Sequence, residues 1–299
     1  MFRLNNVDID DTFAELFEMW AGRILITAEN EKWALTAANV STGFASSIIG
    51  SPSEAGIETF VSPNETLDSR PGVLIQIYHQ TREALKKQMI SRIGQCVMTC
   101  PTTAAFDGLP SAARKIKVGR SLRLFGDGFQ KKDEFRGRNI WRIPVMEGEF
   151  IVESTFGVAK AVAGGNFLIF AEDFRHGLKA AEDAVDSIRK KVKYVILPFP
   201  GGICRSGSKV GSLKYKLPAS TNHPFCPTLK ERVSYTQVPE NVKSIYEIVI
   251  NGLDLESIKR AMVEGINAAT KVQGVVKISA GNYGGKIGQM KIHLREILI

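Results

Sequence analysis

The chain has 299 residues, of which 44% are hydrophobic and 23% are charged. This length allows one large domain or two of about 150 residues, and the composition is that of an ordinary soluble globular protein. The first residues lack the basic start and apolar core of a signal peptide, and no apolar run approaches the length of a membrane span, so we expect a cytoplasmic protein with no membrane partner.

The net charge of +8 is unevenly distributed along the chain. Residues 1–150 contain 18 Lys+Arg and 18 Asp+Glu, whereas residues 151–299 contain 21 and 13. Residues 198–230 carry five cations and no acidic residue: Arg205, Lys209, Lys214, Lys216 and Lys230. Such a stretch attracts anions. Because only Tyr215 and Phe225 are interleaved with it, we expect a small anionic ligand and no nucleic-acid partner.

The four cysteines are too few for a disulfide scaffold and indicate a reducing compartment. Cys96 and Cys100 have the spacing C-x-x-x-C, which could place two thiolates on one helical face. There is no second pair nearby, and the chain has only four histidines. We therefore expect no metal site.

The first half predicts the order strand, helix, strand, strand, helix. The predicted strands are Arg23–Ala28, the extended stretches Ser46–Ile49 and Gly56–Val61, and Val73–Tyr78, and the predicted helices are Lys32–Val40 and Arg82–Val97. Thr81 is the expected N-cap of the second helix, whose apolar residues recur at i, i+4 spacing.

Residues 101–150 interrupt this order. They predict two strands, Ser121–Phe125 and Asn139–Val145, around a polar turn at Lys131–Gly137. We interpret this segment as a hairpin inserted between two halves of the chain. Its aromatic residues Phe125 and Trp141 are expected to lie in the core.

The second half repeats the first. The predicted strands are Asn166–Ala171, Tyr194–Leu197, Ser244–Leu253 and Val275–Ser279, and the helices are Gly177–Lys190 and Leu255–Ala269. Asp254 is expected to begin the last helix, and Leu178, Ala181, Val185 and Ile188 are expected to face inward. Strand-helix-strand, twice in each half, is the βαββαβ pattern. The sequence therefore predicts an α+β protein of duplicated ferredoxin-like lobes, residues 1–150 and 151–299, with an inserted hairpin.

One carboxylate, Glu247, lies inside the apolar strand S-I-Y-E-I-V-I-N-G-L at residues 244–253. Both alternating faces of this strand are apolar, so both are expected to be covered. A carboxyl group among such neighbours either reaches solvent or a cation, or has a pKa raised by desolvation. A raised pKa is what a general acid needs near neutral pH.

Three glycine-rich segments stand out, at residues 163–166, 198–212 and 279–288. Turn chemistry accounts for the first. The second has two glycines at the spacing of a nucleotide-binding loop, but Ser208-Lys209 stands where that loop requires Lys followed by Ser or Thr, which excludes an NTP site. Its glycines, beside Ser206, Ser208 and Lys209, can still offer backbone N–H groups to an anion. No G-x-S-x-G elbow is present, so a Ser-His nucleophile is disfavoured.

Seven segments in the same order resemble the formylmethanofuran:tetrahydromethanopterin formyltransferase family over essentially the whole chain. They are D-D-T-F-A-E-L-F (10–17), R-I-G-Q-C-V-M-T-C-P-T-T-A-A-F (92–106), V-A-G-G-N-F (162–167), P-F-P-G-G-I (198–203), S-G-S-K-V-G-S (206–212), Y-E-I-V-I-N-G-L (246–253) and V-V-K-I-S-A-G-N-Y-G-G-K-I-G (275–288). Seven collinear segments are far more specific than one motif. The segment at 92–106, which contains Cys96 and Cys100, and R-S-G-S-K-V-G-S (205–212) look closer to methylotrophic bacterial versions.

The resemblance implies a cytoplasmic homo-oligomer, commonly a tetramer, with two ferredoxin-like lobes per chain and no bound metal or prosthetic group. It implies formyl transfer between methanofuran, or a related furan carrier, and tetrahydromethanopterin. Both carriers are anionic. The glutamate of Y-E-I-V-I, Glu247 here, corresponds to the family's proposed catalytic carboxyl group. The bacterial versions act within a formyltransferase/hydrolase complex, so other subunits of such a complex are candidate partners.

The substrate-binding candidates are Lys209, Ser208, Gly202, Asn222, Gln95 and Asn282. The basic segment Arg205–Lys216 is the expected docking surface for the anionic carriers, with Lys209 its first candidate and a solvated loop lysine the alternative. Two other functions stay open at this point: a non-catalytic structural subunit of a larger one-carbon complex, and an RNA-binding pair of lobes. The chain lacks the basic-aromatic strand motif of RNA-binding modules.

Overall fold

The computed structural model describes residues 1–299. It is a mixed α+β fold in which most neighbouring strands are antiparallel. None of its helices has the length and apolar character that crossing a membrane requires.

The strands follow one another throughout the chain. They are Phe2–Leu4 (β1), Val7–Ile9 (β2), Phe13–Thr27 (β3), Glu54–Val61 (β4), Gly72–His79 (β5), Ala104–Asp107 (β6), Arg114–Ile116 (β7), Lys131–Phe135 (β8), Arg138–Val145 (β9), Gly148–Glu153 (β10), Phe156–Ala171 (β11), Val195–Ile196 (β12), Ser208–Val210 (β13), Ala219–Thr221 (β14), Ser244–Gly252 (β15), Val275–Ser279 (β16) and Met290–His293 (β17).

The α-helices are Glu31–Thr42 (α1), Arg82–Arg92 (α2), Val118–Leu122 (α3), Phe174–Lys191 (α4), Leu255–Ala269 (α5) and Leu294–Leu298 (α6). Side-chain oxygens at the predicted caps begin two of them. Thr81 accepts a hydrogen bond from Ala84 N at 3.3 Å and begins α2, and Asp254 accepts one from Ser257 N at 2.7 Å and begins α5.

The chain forms two compact units. One contains Met1–Glu18 and Val162–Ile299, and the other contains Met19–Ala161. Both divisions fall inside long strands, β3 and β11.

In the unit Met19–Ala161, antiparallel pairing gives the strand order β4-β5-β3-β6. β10 joins β6 in parallel, and β9 and β8 follow as antiparallel neighbours. Side chains from α1 and α2 pack with those from β3 and β5 in one hydrophobic core.

In the other unit, antiparallel pairing gives the order β12-β15-β11-β16. β2 joins β16 in parallel, and β1 pairs with β2. Helices α4 and α5 pack side by side, where Gly265 allows close approach: a Cβ there would meet Phe167 Cζ at 2.7 Å and Ile188 Cδ1 at 2.9 Å. The apolar faces of both helices share one core with β11 and β15.

The predicted hairpin at residues 101–150 differs from the structure. Residues Ser121–Phe125 are helical rather than a strand, because Val118 and Leu122, four residues apart, both turn inward. Phe125 is 65% exposed and lies outside the core, whereas Trp141 is partly buried against it. The predicted turn Lys131–Gly137 is mostly strand β8. The actual turn is Arg136-Gly137, both with positive φ (47° and 75°), as in a tight two-residue hairpin.

Other predictions fail at single elements. Ser46–Ile49 forms a turn closed by the 2.8 Å hydrogen bond from Ser51 N to Ser47 O rather than extended chain. The α-helical part of Arg82–Val97 ends at Arg92 and continues as a π-helix over Ile93–Val97. Leu178 is exposed, because Gly177 and Ala181 take the inward positions of that turn. The strand predicted at Tyr194–Leu197 is reduced to Val195–Ile196.

Candidate functional site

The strand β15 places Glu247 on the face that the helices do not cover. Its neighbours in sequence, Tyr246 and Ile248, pack toward α4 and α5 in the core of this unit. Glu247 pairs with Leu168 of β11, and Leu168 belongs to a smaller apolar cluster with Val238 and Val242 from the segment preceding β15. Both faces of the strand are therefore covered, one by helices and the other by the long segment between β12 and β15.

On its other side, Glu247 pairs with Cys204 through an isolated antiparallel bridge. Cys204 N donates to Glu247 O at 2.8 Å, and Glu247 N donates to Cys204 O at 2.9 Å. Residues that exchange both hydrogen bonds in this way project their side chains from the same face. The carboxyl group therefore lies between the Leu168 side chain and the Cys204 thiol.

A cavity of about 450 Å³ opens above this carboxyl group. Its wall combines apolar side chains with a polar set that lies in three short segments of the same unit. The polar lining residues are Cys204, Arg205, Ser206, Asn222, Cys226, Thr228, Lys243, Ser244, Tyr246 and Glu247. A volume of this size is within the usual range of small-molecule sites.

The cavity wall changes the ionisation of Glu247. Burial raises the pKa of this carboxyl from 4.5 to about 7, and a hydrogen bond with the Cys204 thiol partly opposes that effect. Part of the side-chain surface stays accessible through the cavity. Glu247 therefore exists in both the protonated and the ionised form near neutral pH, which suits a group that gives and takes a proton.

Two cations, Arg205 and Lys243, lie in the lining of this cavity and are both exposed. They give the region around the buried carboxyl a positive character, which favours an anionic ligand. Beside Arg205, Gly207 has φ +52°, a conformation that disfavours other residues. The glycine-rich segment thus turns sharply at the cavity.

The structure separates the four predicted substrate-binding residues that lie within residues 202–222. Asn222 lines the cavity with Glu247. Ser208 and Lys209 lie in the two-stranded β13–β14 hairpin instead, where Lys209 Nζ donates to Ser220 Oγ at 2.8 Å. Gly202 is buried: its N–H donates to Phe199 O at 2.8 Å, and its φ is +92°. The glycine serves a tight turn there.

The other two candidates lie elsewhere in the chain. Asn282 is held within the third glycine-rich segment, where its amide donates to Phe13 O at 3.1 Å and its Oδ1 accepts from Gly284 N at 3.0 Å. Gln95 is exposed on the π-helix of the unit Met19–Ala161. Neither is among the lining residues of the Glu247 cavity.

Sequence reasoning missed several cavity residues, notably Cys204, Cys226 and Lys243, whereas Arg205 belongs to the expected docking surface. The signal that could have found Cys204 is its place at the end of P-F-P-G-G-I-C, immediately after a sharp turn. No group of three or more His, Cys, Asp or Glu side chains is arranged to hold a metal ion.

Stability measurements can check the ionisation of Glu247. Because the pKa of Glu247 is raised in the folded state, this group ionises in the unfolded chain first as pH rises above 4.5. The free energy of unfolding therefore falls by up to about 3 kcal/mol once pH exceeds 7. Below pH 4.5 both states are protonated and this cost is absent. We expect Glu247→Gln to be more stable than the native protein at about pH 8, with the difference shrinking toward about pH 4.5. Urea unfolding across this range measures it; the exposed Glu134→Gln is the control, and a pH-independent difference would contradict it.

Comparison with known proteins covers both halves of the chain. A family model described as formylmethanofuran-tetrahydromethanopterin formyltransferase matches residues 2–145, and one described as the proximal lobe, FTR, matches residues 148–297. The protein of that name from Methanocaldococcus jannaschii is 54% identical over 298 residues, covering 98% of this chain and 99% of the relative.

Two solved structures are similar throughout. The formyltransferase from Methanosarcina barkeri has a TM-score of 0.95 at 50% identity, covering 99% of this chain and 100% of that one. A chain of the formyltransferase/hydrolase complex from Methylorubrum extorquens, solved with methylofuran, has a TM-score of 0.95 at 43% identity, covering 100% and 99%. The identity is higher to the archaeal protein, contrary to the closeness to bacterial versions expected from short segments.

Proposed function

The chain belongs to the formylmethanofuran-tetrahydromethanopterin formyltransferase family, and we propose that Glu247 is the proton donor of the formyl transfer that it catalyses. The substrates are a methanofuran-type carrier and tetrahydromethanopterin. The observation that carries the proposal is a carboxyl group with a pKa of about 7 at the base of a 450 Å³ cavity.

The chemistry needs such a group. A ring nitrogen of one carrier attacks the formamide carbonyl of the other, forming a new C–N bond and a tetrahedral intermediate with a negatively charged oxygen. The intermediate collapses by breaking the original C–N bond, and the leaving amine must take up a proton. Protonated Glu247 donates that proton, and the ionised carboxylate then accepts the one released by the attacking nitrogen. The reaction balances without a net proton change.

The positive character of the cavity supports binding of the carriers. Both carry negatively charged groups, which Arg205 and Lys243 in the cavity lining can attract. Residues 198–230, which include Arg205, contain no acidic residue. Among the predicted binding residues, Asn222 has the strongest support, since its side chain lines the same cavity. Lys209, Ser208, Gly202, Gln95 and Asn282 stay predictions.

An assay of the isolated chain tests the function. We expect the purified protein, supplied with both carriers and no other subunit, to transfer the formyl group in either direction. A folded chain without transfer, whose activity returns only with other subunits, would favour a structural subunit of a larger complex. Binding to RNA that weakens with salt, in a chain without transfer activity, would favour an RNA-binding protein.

Lys209 gives a second, smaller test. We expect Lys209→Ala to raise the Michaelis constants several-fold with little change in turnover, because a cation near the anionic carriers contributes uniform binding. Steady-state kinetics with each carrier varied in turn measures this. Lys131→Ala removes the same charge from the exposed β8 strand and is the control. Unchanged Michaelis constants would leave Lys209 as a residue that holds the β13–β14 hairpin through Ser220.

We also propose that the fold is a duplication of two ferredoxin-like lobes, divided near residue 150. The strand orders support this, because β4-β5-β3-β6 and β12-β15-β11-β16 both place the first and third strands of a βαββαβ unit in the centre. The family models meet between residues 145 and 148. A chain cut near residue 150 that regains activity on mixing its halves would agree with this division.

We further propose a cytoplasmic homotetramer that can join other subunits of a formyltransferase/hydrolase complex. The bacterial relative solved as such a complex supports the partner subunits. Exposed apolar side chains at Leu124, Phe125 and Phe129 support contact with another chain. Light scattering of the purified protein measures the assembly, and a monomer at micromolar concentration would contradict it.

A further inference from the structure

We propose that Cys204 is a positioning residue for catalysis, whose thiol orients the Glu247 carboxyl group toward the cavity. This inference rests on the proposed function of Glu247. It adds a residue that neither the predicted site nor the family resemblance identified.

Backbone geometry brings the two side chains together. The bridge between Cys204 and Glu247 has hydrogen bonds of 2.8 Å and 2.9 Å in both directions, so the two residues stand directly opposite each other. Their side chains leave the same face of the pair. A bridge of this kind also ties the glycine-rich segment to β15 at the point where the carboxyl group projects. The thiol therefore keeps its place relative to Glu247.

The thiol has little freedom and few other partners. Cys204 is 4% exposed, and its Sγ lies 3.5 Å from Ser206 Oγ. Burial raises the pKa of this thiol, and the neighbouring Glu247 raises it further. Cys204 is therefore a neutral S–H group at neutral pH rather than a thiolate, which makes it a hydrogen-bond donor and a poor nucleophile. A covalent formyl-thioester route through Cys204 is disfavoured by the same facts.

A donor at this position has two consequences for Glu247. The thiol hydrogen bond holds the Glu247 carboxyl group on the face of the bridge where both residues line the cavity. It also favours the ionised form and keeps the pKa of Glu247 from rising further under the effect of burial. Both effects matter to a group that must donate a proton and recover it in each turnover.

The charged and titratable groups around the cavity come from three segments. Arg205 follows Cys204, Cys226 belongs to the segment 222–228, and Lys243, just before β15, and Tyr246 precede Glu247. On the neighbouring strand β11, the residue opposite Glu247 is the apolar Leu168. Among these groups, only the Cys204 thiol acts on the ionisation of Glu247 as a hydrogen-bond partner.

The test compares Cys204→Ala, Cys204→Ser and Cys226→Ala with the native protein. Cys226 is the matched control, because its Sγ also lines the cavity but contacts Asn222 O at 3.4 Å and Thr221 Oγ1 at 3.4 Å. Formyl transfer is measured from about pH 5 to pH 9 for each variant, and thermal melting checks that each is folded. The protonated-carboxyl infrared band that Glu247→Gln lacks gives the ionisation of Glu247 without relying on activity.

We expect Cys204→Ala to lose the hydrogen bond and to move the alkaline limb of turnover, and the infrared titration, upward by about 0.5 to 1 pH unit. Turnover should fall about threefold or more at its optimum, because the carboxyl is less well oriented. Cys204→Ser should recover most of the turnover and return the limb to the native position or below it, since a hydroxyl is a stronger donor. Cys226→Ala should leave the limb in place.

Two results overturn the inference. One is a Cys204→Ala variant whose limb and infrared titration coincide with those of the native protein. The other is a Cys204→Ser variant that performs worse than Cys204→Ala, as expected if the thiol only fills apolar space. Failure of the proposed function is distinguishable from both, because it appears as near-normal turnover in Glu247→Gln measured alongside.

Discussion

Replacing Glu247 with Gln is expected to lower turnover by at least about a hundredfold while leaving the Michaelis constants nearly unchanged. Gln has the size of Glu and can still accept a hydrogen bond from the Cys204 thiol, so the cavity keeps its shape. What it loses is the acidic proton of the carboxyl group, which an amide cannot donate to the leaving amine near neutral pH. A group that acts only as the intermediate forms and collapses affects turnover rather than substrate binding. Steady-state kinetics with both carriers, together with binding measurements, check this expectation.

The pH dependence of turnover tests the same role of Glu247 independently. Because a general acid works only when protonated, native turnover should fall as pH rises through about 7, the pKa that burial gives Glu247. The residual turnover of Glu247→Gln should lack that limb. Glu240→Gln, an exposed carboxyl of the same unit, is the control and should keep both the rate and the limb. Near-normal turnover in Glu247→Gln would remove the proposed role.

The sequence predicts those features of this site that depend on neighbouring residues, but not the contacts between residues far apart in the chain. The strand at residues 244–252 and the helix Leu255–Ala269 are confirmed, because their signals are local: an alternating apolar run, and a helical period begun by the Asp254 cap. The odd position of Glu247 follows from the same alternation. The Cys204 bridge does not, since it joins residues 43 positions apart along a segment with no regular period.

The role of a glycine-rich segment is also not predictable from its sequence. Composition alone does not tell a ligand-binding loop from a tight turn, because both require positive φ or close backbone approach. At Gly202 the structure reveals a turn: a Cβ there would meet Val185 Cγ2 at 3.0 Å. At Gly207 the same residue type shapes the cavity wall. The wrong strand prediction at Ser121–Phe125 has a similar origin, because the residues of a short apolar run fit a helix and a strand equally well.

A buried carboxylate, Glu15, organises the third glycine-rich segment, residues 279–288, although no sequence pattern singles it out. Glu15 is 1% exposed and accepts four backbone hydrogen bonds. Tyr283 N and Gly285 N donate to Oε2 at 2.7 and 2.9 Å, and Ile287 N and Gly288 N donate to Oε1 at 2.6 and 2.5 Å. Burial raises the pKa of Glu15, but these four donors outweigh it and the net pKa is lowered. The carboxylate supplies the hydrogen-bond acceptors that these four backbone N–H groups need.

Substituting Glu15 therefore has the second large effect that we expect. Glu15→Ala leaves four N–H groups without their acceptor, at a cost of one to a few kcal/mol for each that stays buried, so a loss on the order of 5 kcal/mol is expected once the loop relaxes. Glu15→Gln should lose nearly as much, because its amide NH₂ would face two donors and only one of its two terminal groups can accept.

The pH dependence distinguishes this role from simple packing. Because the folded pKa of Glu15 is lowered, its ionisation stabilises the native protein above the unfolded value of about 4.5, and this contribution is lost as pH falls through the folded pKa. The stability gap between the native protein and Glu15→Gln should accordingly be widest at neutral pH and narrow in acid. The gap for Glu247→Gln also narrows in acid but has the opposite sign, because that variant is more stable than the native protein. Urea unfolding of both variants, with the exposed Glu172→Gln as control, measures the two trends side by side. A Glu15→Gln variant as stable as the native protein at neutral pH would show that the loop holds itself without the carboxylate.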